Sequence, residues 1–139
     1  MTFLLDTNVV SELRRGPSAN ANVRAWDASS SEAVHFISVV VVTELRKGAL
    51  ARKRKDPRIG AALDHWIDRV IAGFADRILP VDIRVADVWA ELMVPRSRPA
   101  MDALIAATAI AHGLTLVTRN VDDFAGIKID VLDPWAFPA

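Results

Sequence analysis

The sequence predicts an α/β protein with a central parallel sheet covered by helices on both faces, that is, a three-layer α/β/α fold. Short apolar runs alternate along the chain with longer segments whose apolar residues recur at helical spacing. Strands that alternate with helices form parallel sheets. Hydrophobic residues make up 52% of the 139-residue chain, enough for a sizeable core, and this length favours one domain over residues 1–139.

Five short segments are predicted strands. Each is an apolar run bounded by polar or turn residues, which suits strands that are buried on both faces of a sheet. The third run contains Pro80, which cannot donate to a strand ladder, so we expect it at an edge of the sheet. In chain order the predicted strands cover residues 3–5, 34–37, 78–81, 114–117 and 127–132.

Six helices are predicted between these strands. The first follows the first strand directly, and the third opens with four valines, residues 39–42. Valine prefers strands, so a longer strand is an alternative there, but the polar residues that follow do not alternate and favour a helix. Capping residues mark several helix ends: Ser38, Asp56 before Pro57, Asp82 and Gly113. The later helices cover residues 20–29, 39–53, 57–71, 83–92 and 100–112.

Charge and composition exclude several classes of protein. The 17 basic and 17 acidic residues cancel, so overall charge does not indicate a polyanionic partner. The absence of cysteine excludes disulfides and thiolate metal sites, and three histidines argue against a histidine-rich zinc site. The first residues lack a basic region followed by a long apolar one, so we expect no signal peptide, and the longest apolar run, residues 36–42, is far shorter than the ~20 residues of a membrane span. We expect a soluble, cytoplasmic protein with no membrane partner.

Four acidic residues lie where predicted strands end or helices begin. Asp6 ends the first strand, and Glu44 lies six residues after Ser38, inside the third helix. Asp102 lies in the first turn of a helix that is apolar nearly all round and should be buried. Asp123, with Asn120 before it, follows the fourth strand. Ligands of open α/β sheets bind at the carboxyl ends of the strands, so these four residues are candidate site residues.

Each of these residues also has an ordinary structural role open to it. Asp6 is a good helix N-cap, and Glu44 can pair with a neighbouring Arg or Lys as an exposed helix residue. The helix dipole favours an acid at Asp102 by ~0.3–1 kcal/mol. The Asn and Asp residues after the fourth strand are common turn residues.

If the four carboxylates converge, they repel, and a divalent cation is the expected compensation. Two like charges ~4 Å apart cost about 4 kcal/mol at an effective dielectric near 20. Carboxylates with other oxygen donors suit Mg²⁺ or Mn²⁺. Such a site lowers the pKa of a bound water, which can then attack phosphorus, and Glu44 or Asp123 could orient this water. The number of ions, one or two, and the choice between RNA and DNA as substrate remain open. The supporting polar residues are Thr7, Asn8, Thr118 and Asn120.

Basic residues lie near the third helix and the fourth strand. Arg46 and Lys47 follow Glu44, residues 52–55 are all basic, and Arg119 follows the fourth strand. The functional interpretation is contact with a phosphate backbone, for which Arg46, Lys47 and Arg119 are the candidates. The alternative for residues 52–55 is a solvated helix end whose cations suit the helix dipole.

Taken together and in order, four sequence pieces resemble a PIN-domain nuclease, and more closely a VapC-type toxin of bacterial type II toxin–antitoxin pairs. The pieces span nearly the whole chain and read FLLDTNVVSEL, ISVVVVTELRKGA, MDALIAATAIAHGLTLVTRNVDDF and DPW. The resemblance implies a Mg²⁺- or Mn²⁺-dependent endoribonuclease with Asp6, Glu44 and Asp102 as its acidic core. The last acidic position falls in residues 118–123, where Asn120 replaces the acid of many relatives and Asp123 follows. The resemblance also implies an RNA substrate, a homodimer and a small antitoxin protein whose tail occupies the active-site groove.

Two other classes of function compete with the nuclease. Phosphatases that form an aspartyl-phosphate have a similar opening, but Asn8 stands where they need a second Asp. Receiver domains need a Lys late in the sheet, and this chain has Arg119 after Thr118. A catalytically inactive RNA- or protein-binding module, with structural acids, is the alternative to the nuclease.

Overall fold

The computed structural model describes residues 1–139 and contains a five-stranded parallel sheet. The strands are β1 (Thr2–Leu5), β2 (Val34–Ser38), β3 (Ile78–Leu79), β4 (Thr115–Val117) and β5 (Val131–Leu132). Their order across the sheet is β3-β2-β1-β4-β5, and every neighbouring pair is parallel. Leu4 in the central strand β1 lies between Phe36 of β2 and Leu116 of β4. The predicted parallel sheet is confirmed.

Six α-helices connect and cover the strands. They are α1 (Thr7–Leu13), α2 (Ala21–Ser29), α3 (Val39–Lys55), α4 (Pro57–Phe74), α5 (Ile83–Met93) and α6 (Ala100–His112). Connections between parallel strands are right-handed, so α1 to α4 cover one face, and α5 and α6 the other, because the strand order reverses after β3. The three-layer α/β/α fold is therefore confirmed. No helix is both long and apolar enough to span a lipid bilayer.

The predicted helix caps are present. Ser38 Oγ accepts a hydrogen bond from the backbone N of Val40, so the valine run begins α3 and does not prolong β2. Asp56 and Asp82 cap α4 and α5 in the same way, each through a side-chain oxygen. Gly113 ends α6 with φ 64°, a left-handed conformation that glycine adopts without strain.

The last strand is shorter than predicted. Only Val131–Leu132 is strand, whereas the prediction began at Ile127. Strand β4 has three residues and offers few partners: the N–H of Leu116 and that of Thr118 bond to the carbonyls of residues 130 and 132. The segment before them turns instead of pairing, starting at Gly126, whose φ is 82°. Similarly, β3 ends before Pro80, at the edge of the sheet as expected.

The core lies between the sheet and the helices on its two faces. As expected, α6 is the most buried helix, and its run of small residues allows close approach to the sheet. On the other face, α3 and α4 pack so closely that Gly60 contacts the backbone of Lys53; a side chain at Gly60 would overlap Lys53 Cβ and lie 2.5 Å from its Cα. The first half of α3 lies at the carboxyl edge of the sheet because the helix begins directly after β2.

Candidate active site

The predicted site lies at the carboxyl ends of β1 and β4, where the chain order of the strands reverses. Such a switch point is the usual place for a ligand site in an open α/β sheet. Asp6 follows β1 and donates its backbone N–H to the carbonyl of Val117 in β4, at 2.9 Å. Its Oδ1 accepts from the backbone N of Thr7 at 2.8 Å and caps α1. Asp6 is 5% exposed, so a capping residue here is also a buried acid that faces the site.

Thr118, fully buried at the end of β4, orients the second oxygen of Asp6. Its Oγ1 donates to Asp6 Oδ2 at 2.7 Å and accepts from Asn8 Nδ2 at 3.3 Å and from the backbone N of Asn120 at 3.1 Å. One donor and two acceptor positions are all that a hydroxyl has. Asn8 Oδ1 also accepts from the backbone N of Arg119, at 3.2 Å, which ties the two strand ends together.

Glu44 reaches the same place from α3. Its Oε1 accepts a hydrogen bond from Thr7 Oγ1 at 2.8 Å, and its Oε2 has no partner within the protein. The side chain is half-buried. Thr7 therefore links the first helix to the third and holds one oxygen of Glu44 while leaving the other available.

Asp102 and Asp123 complete a group of four interacting carboxylates. Burial raises the pKa of Asp102, and the like charges of Asp6, Asp123 and Glu44 raise it further. Burial also raises the pKa of Asp6; the hydrogen bonds from Thr118 and from the backbone of Thr7 oppose this, and the charge of Asp123 adds to it. The structure thus brings the four predicted acids within electrostatic reach of one another.

No cation of the protein compensates this group. The ion pairs of the chain join Arg15 to Glu12, and Arg46 to Asp64 and Asp68, all outside the four acids. The donors here are oxygen atoms, which is the chemistry that Mg²⁺ and Mn²⁺ prefer. The donor set therefore fits a hard divalent cation. In this conformation, no three acidic or imidazole side chains converge closely enough to hold an ion together.

The segment after β4 separates the roles of two candidate residues. The exposed Asn120 uses its backbone N–H to bond Thr118, and its side chain makes no hydrogen bond. Asp123 lies on the short 3₁₀ turn Val121–Phe124, and its charge acts on both Asp6 and Asp102. Asp123 is thus the residue of this pair whose carboxylate belongs to the acidic group.

The basic candidates differ in their contacts. Arg46, which was predicted to contact RNA, has its guanidinium bound to Asp64 and Asp68 of α4, which gives it a role in α3–α4 packing. Lys47 is exposed and lines a cavity of about 310 Å³ beside Glu44. Arg119 is exposed, with its Cζ 5.1 Å from the centroid of the Trp135 ring.

A second cavity beside Glu44 contains residues that the sequence interpretation did not name as site residues. It has a volume of about 220 Å³, and Arg14, Gly48 and Trp66 line it together with Arg52 of the basic run 52–55. The spacing of Glu44, Gly48 and Arg52, four residues apart each time, is a signal that could have indicated a common helix face. The largest surface cavity, about 520 Å³, surrounds His35 and Arg77 and contains none of the predicted site residues.

Comparison with known proteins shows the same fold and architecture. The chain is 35% identical over 139 residues to VapC ribonuclease Y4jK of Sinorhizobium fredii, which covers 96% of this chain and 97% of the relative. The crystal structure of FitAcB from Neisseria gonorrhoeae superposes with a TM-score of 0.81 and 33% identity, covering 97% of this chain and 99% of that one. A toxin–antitoxin complex from Klebsiella pneumoniae superposes with a TM-score of 0.67 and 26% identity, covering 94% and 96%.

The family description "PIN domain" matches residues 3–129, a segment that includes all four acids of the group described above. With this match and the similarity along nearly the whole chain, the protein belongs to the PIN-domain family.

Proposed function

We propose that the protein is a Mg²⁺- or Mn²⁺-dependent endoribonuclease and the toxin of a toxin–antitoxin pair. The observation that carries this proposal is the group of four carboxylates, Asp6, Glu44, Asp102 and Asp123, at the switch point of the sheet without a protein cation to compensate them. A relative of similar length is named a VapC ribonuclease, and a structural neighbour is a toxin–antitoxin complex.

The four acids would hold the cation, Asp6, Asp102 and Asp123 directly and Glu44 through the bound water, with the hydrogen bond from Thr118 presenting Asp6 to the ion. A bound Mg²⁺ or Mn²⁺ supplies a Lewis acid for a phosphate oxygen and lowers the pKa of a bound water. Both ions fit the oxygen donors equally well. Compensation by the ion would also reverse the upward pKa shifts of Asp6 and Asp102, so that both remain ionised during the reaction.

The residues of the chain position the attacking water. Thr7 holds Oε1 of Glu44, so Oε2 is the oxygen that accepts the proton of this water. The water oxygen then bonds to phosphorus while the opposite bond, from phosphorus to a ribose oxygen, breaks, and the leaving ribose oxygen takes up a proton from the solvent. This reaction does not use the 2′-hydroxyl, so the preference for RNA rests on the ribonuclease relative and on contacts away from the reacting phosphate.

The test is cleavage of total RNA by the purified protein in Mg²⁺, in Mn²⁺ and in EDTA, with every new 5′ end mapped by sequencing. Asp6→Asn should abolish the metal-dependent cuts. Asp122→Asn is the matched control, because the exposed Asp122 carries the same charge change next to the site and its side chain forms no ion pair. Single-stranded DNA of the same sequence tests the choice of RNA. Equal cutting by the unmodified protein and Asp6→Asn would rule the proposal out.

The partners follow from the same proposal. We expect a homodimer and a cognate antitoxin that blocks the acidic group, both acting in the cytoplasm, where the RNA is. Light scattering of the purified toxin tests the homodimer. Co-expression with the protein encoded beside it tests the antitoxin, with loss of RNA cleavage in the complex as the expected result.

The second candidate function is an inactive RNA-binding module. The upward pKa shifts of Asp6 and Asp102 argue against it, because like charges held together without a bound cation only destabilise the fold. RNA binding without cleavage in either metal, by protein free of antitoxin, would establish this alternative.

A further inference from the structure

A groove runs along α3 from Glu44 towards the basic end of the helix; we call it the α3 groove. Glu44, Gly48 and Arg52 lie four residues apart and so share one face of the helix. Two cavities, of about 220 and 310 Å³, adjoin this face, and both are lined by Glu44 and Gly48. The groove is open at Gly48, since a Cβ at this position would meet no atom within 4 Å.

The α3 groove has uncompensated positive charge beyond its acidic end. Arg14 of α1 and Arg52 of α3 line the first cavity, and Lys47 lines the second. None of these three side chains forms an ion pair. The guanidinium of Arg14 lies over the ring of Trp66, 5.5 Å from its centroid. By contrast, the neighbouring Arg46 is fully used by two aspartates of α4.

We propose that the α3 groove binds the single-stranded RNA that flanks the cleaved phosphate, with Arg14 and Arg52 contacting backbone phosphates and the Arg14–Trp66 pair stacking against a base. The inference rests on the proposed ribonuclease function. Unpaired arginines neutralise phosphates, and guanidinium and indole planes are common stacking surfaces for unpaired bases.

The distances suit this occupant. Eight residues separate Glu44 from Arg52, a rise of ~12 Å along the helix, which a short stretch of single-stranded RNA spans. The acidic group repels every phosphate except the one whose charge a metal ion compensates. Affinity for the rest of the strand therefore has to come from cations farther along its path, and Arg14 and Arg52 lie there without competing partners.

Binding is measured with the Asp6→Asn protein in EDTA, so that cleavage does not interfere. The probes are a fluorescent oligouridylate and a randomised oligoribonucleotide, titrated at several salt concentrations. Arg14→Gln and Arg52→Gln should each weaken binding, and the removal of one phosphate interaction should make the slope of log K against log salt shallower by about 0.7. Arg84→Gln is the matched control: it removes the same charge from the exposed surface of α5, on the other face of the sheet.

Substitution of Gly48 tests the groove without changing charge. Gly48→Leu should fill it and weaken RNA binding by about 10-fold or more, the equivalent of ~1.4 kcal/mol. Gly48→Ala should bind as tightly as the parent. Since the position is open, both variants should keep the melting temperature of the parent or exceed it, which separates a blocked groove from a damaged fold.

The inference is overturned if the parent of these variants, the Asp6→Asn protein, shows no RNA binding. It is also overturned if Arg14→Gln, Arg52→Gln and Gly48→Leu all bind RNA with the affinity and salt slope of this parent. Unchanged RNA binding by these variants would indicate that a protein partner, and not RNA, occupies the α3 groove. Cleavage by the unmodified protein is measured separately, so the ribonuclease function stands or fails on its own result.

Discussion

Thr118 donates a 2.7 Å hydrogen bond to the carboxylate of Asp6, across 112 residues of sequence and between two adjacent strand ends. This bond is buried, and it lowers the pKa of Asp6 against the stronger effect of burial. The candidate active site therefore depends on Thr118, an uncharged residue that acts by orienting Asp6 and has no role of its own in the proposed reaction. The same hydroxyl also fixes the loop after β4 through Asn8 and Asn120.

Thr118→Val should raise the pKa of Asp6 further and move the acidic limb of the cleavage rate to higher pH. The variant keeps the shape of the side chain but leaves buried Asp6 Oδ2 without its best donor, which typically costs about 1–3 kcal/mol. The loss of stability should grow as the pH rises and Asp6 ionises, because the hydrogen bond from Thr118 favours the ionised form. Urea unfolding and a pH–rate profile measure both effects. Thr115→Val, in the same strand and away from the acids, is the control; equal pH profiles for both variants would contradict the assignment.

Asp102→Asn should stabilise the apo protein at pH 7 and abolish cleavage. The folded-state pKa of Asp102 is raised above its ordinary 3.8, so the stability that this group contributes is complete below pH 3.8 and is lost as the pH rises through the folded-state pKa. Removing the charge should recover up to ~1 kcal/mol of stability, because Asp102 is only half-buried and solvent screens the repulsion. The gain should shrink as the pH is lowered towards 3.8. A variant no more stable than the unmodified protein at pH 7 would argue against charge repulsion at the site.

Mg²⁺ or Mn²⁺ should raise the melting temperature of the unmodified protein, because an ion bound by the four acids stabilises the folded state. At a concentration 100 times its dissociation constant, the expected gain is about 2.7 kcal/mol. EDTA should reverse the shift. Asp6→Asn and Asp102→Asn should reduce it strongly, whereas Asp122→Asn should keep it. An equal metal-dependent shift in all four proteins would place the ion elsewhere.

Arg46 and Lys47 should respond differently to substitution, although they are adjacent. Arg46→Gln should lower stability, by up to ~1 kcal/mol for a largely exposed ion pair, and leave RNA affinity unchanged, because its guanidinium is bound to Asp64 and Asp68. Lys47→Gln should instead weaken RNA binding and leave stability unchanged, since Lys47 is exposed and unpaired beside Glu44. Urea unfolding and RNA binding of both variants check this, and a double mutant with Asp68→Asn isolates the ion pair. Weaker RNA binding by Arg46→Gln alone would restore Arg46 as a phosphate contact.

Gly60→Ala should separate α3 from α4 and destabilise the protein by about 1–3 kcal/mol, as overpacking does. The new Cβ would overlap Lys53, whose backbone cannot move without moving α3. Because Glu44 is carried by α3, cleavage should fall as well. Gly48→Ala is the matched control in an open helix interior and should be more stable than the unmodified protein by up to ~1 kcal/mol. Thermal unfolding distinguishes the two, and a neutral Gly60→Ala would mean that the helices tolerate a wider spacing.

The sequence by itself determined the features that depend on neighbouring residues. The boundaries of α6, the caps at Ser38, Asp56 and Asp82, and the left-handed Gly113 depend on side chains within a few positions. The positions of Asp6 and Glu44 relative to their strands were predictable for the same reason. The alternation of strands and helices then limited the fold to a covered parallel sheet.

Only the tertiary structure decided the features that join distant segments. The strand order places Thr118 beside Asp6. The packing of α3 on α4 allows Arg46 to pair with Asp64 and Asp68, and the short β4 limits β5 to two residues. Each of these features results from a pairing between backbone or side-chain groups that are far apart in the chain. Local residue propensities do not predict such pairings. The acidic group itself is such a case: the sequence contains the four carboxylates, but the raised pKa values of Asp6 and Asp102 arise from burial and from the charges of neighbouring acids, which act only after the sheet has brought the segments together.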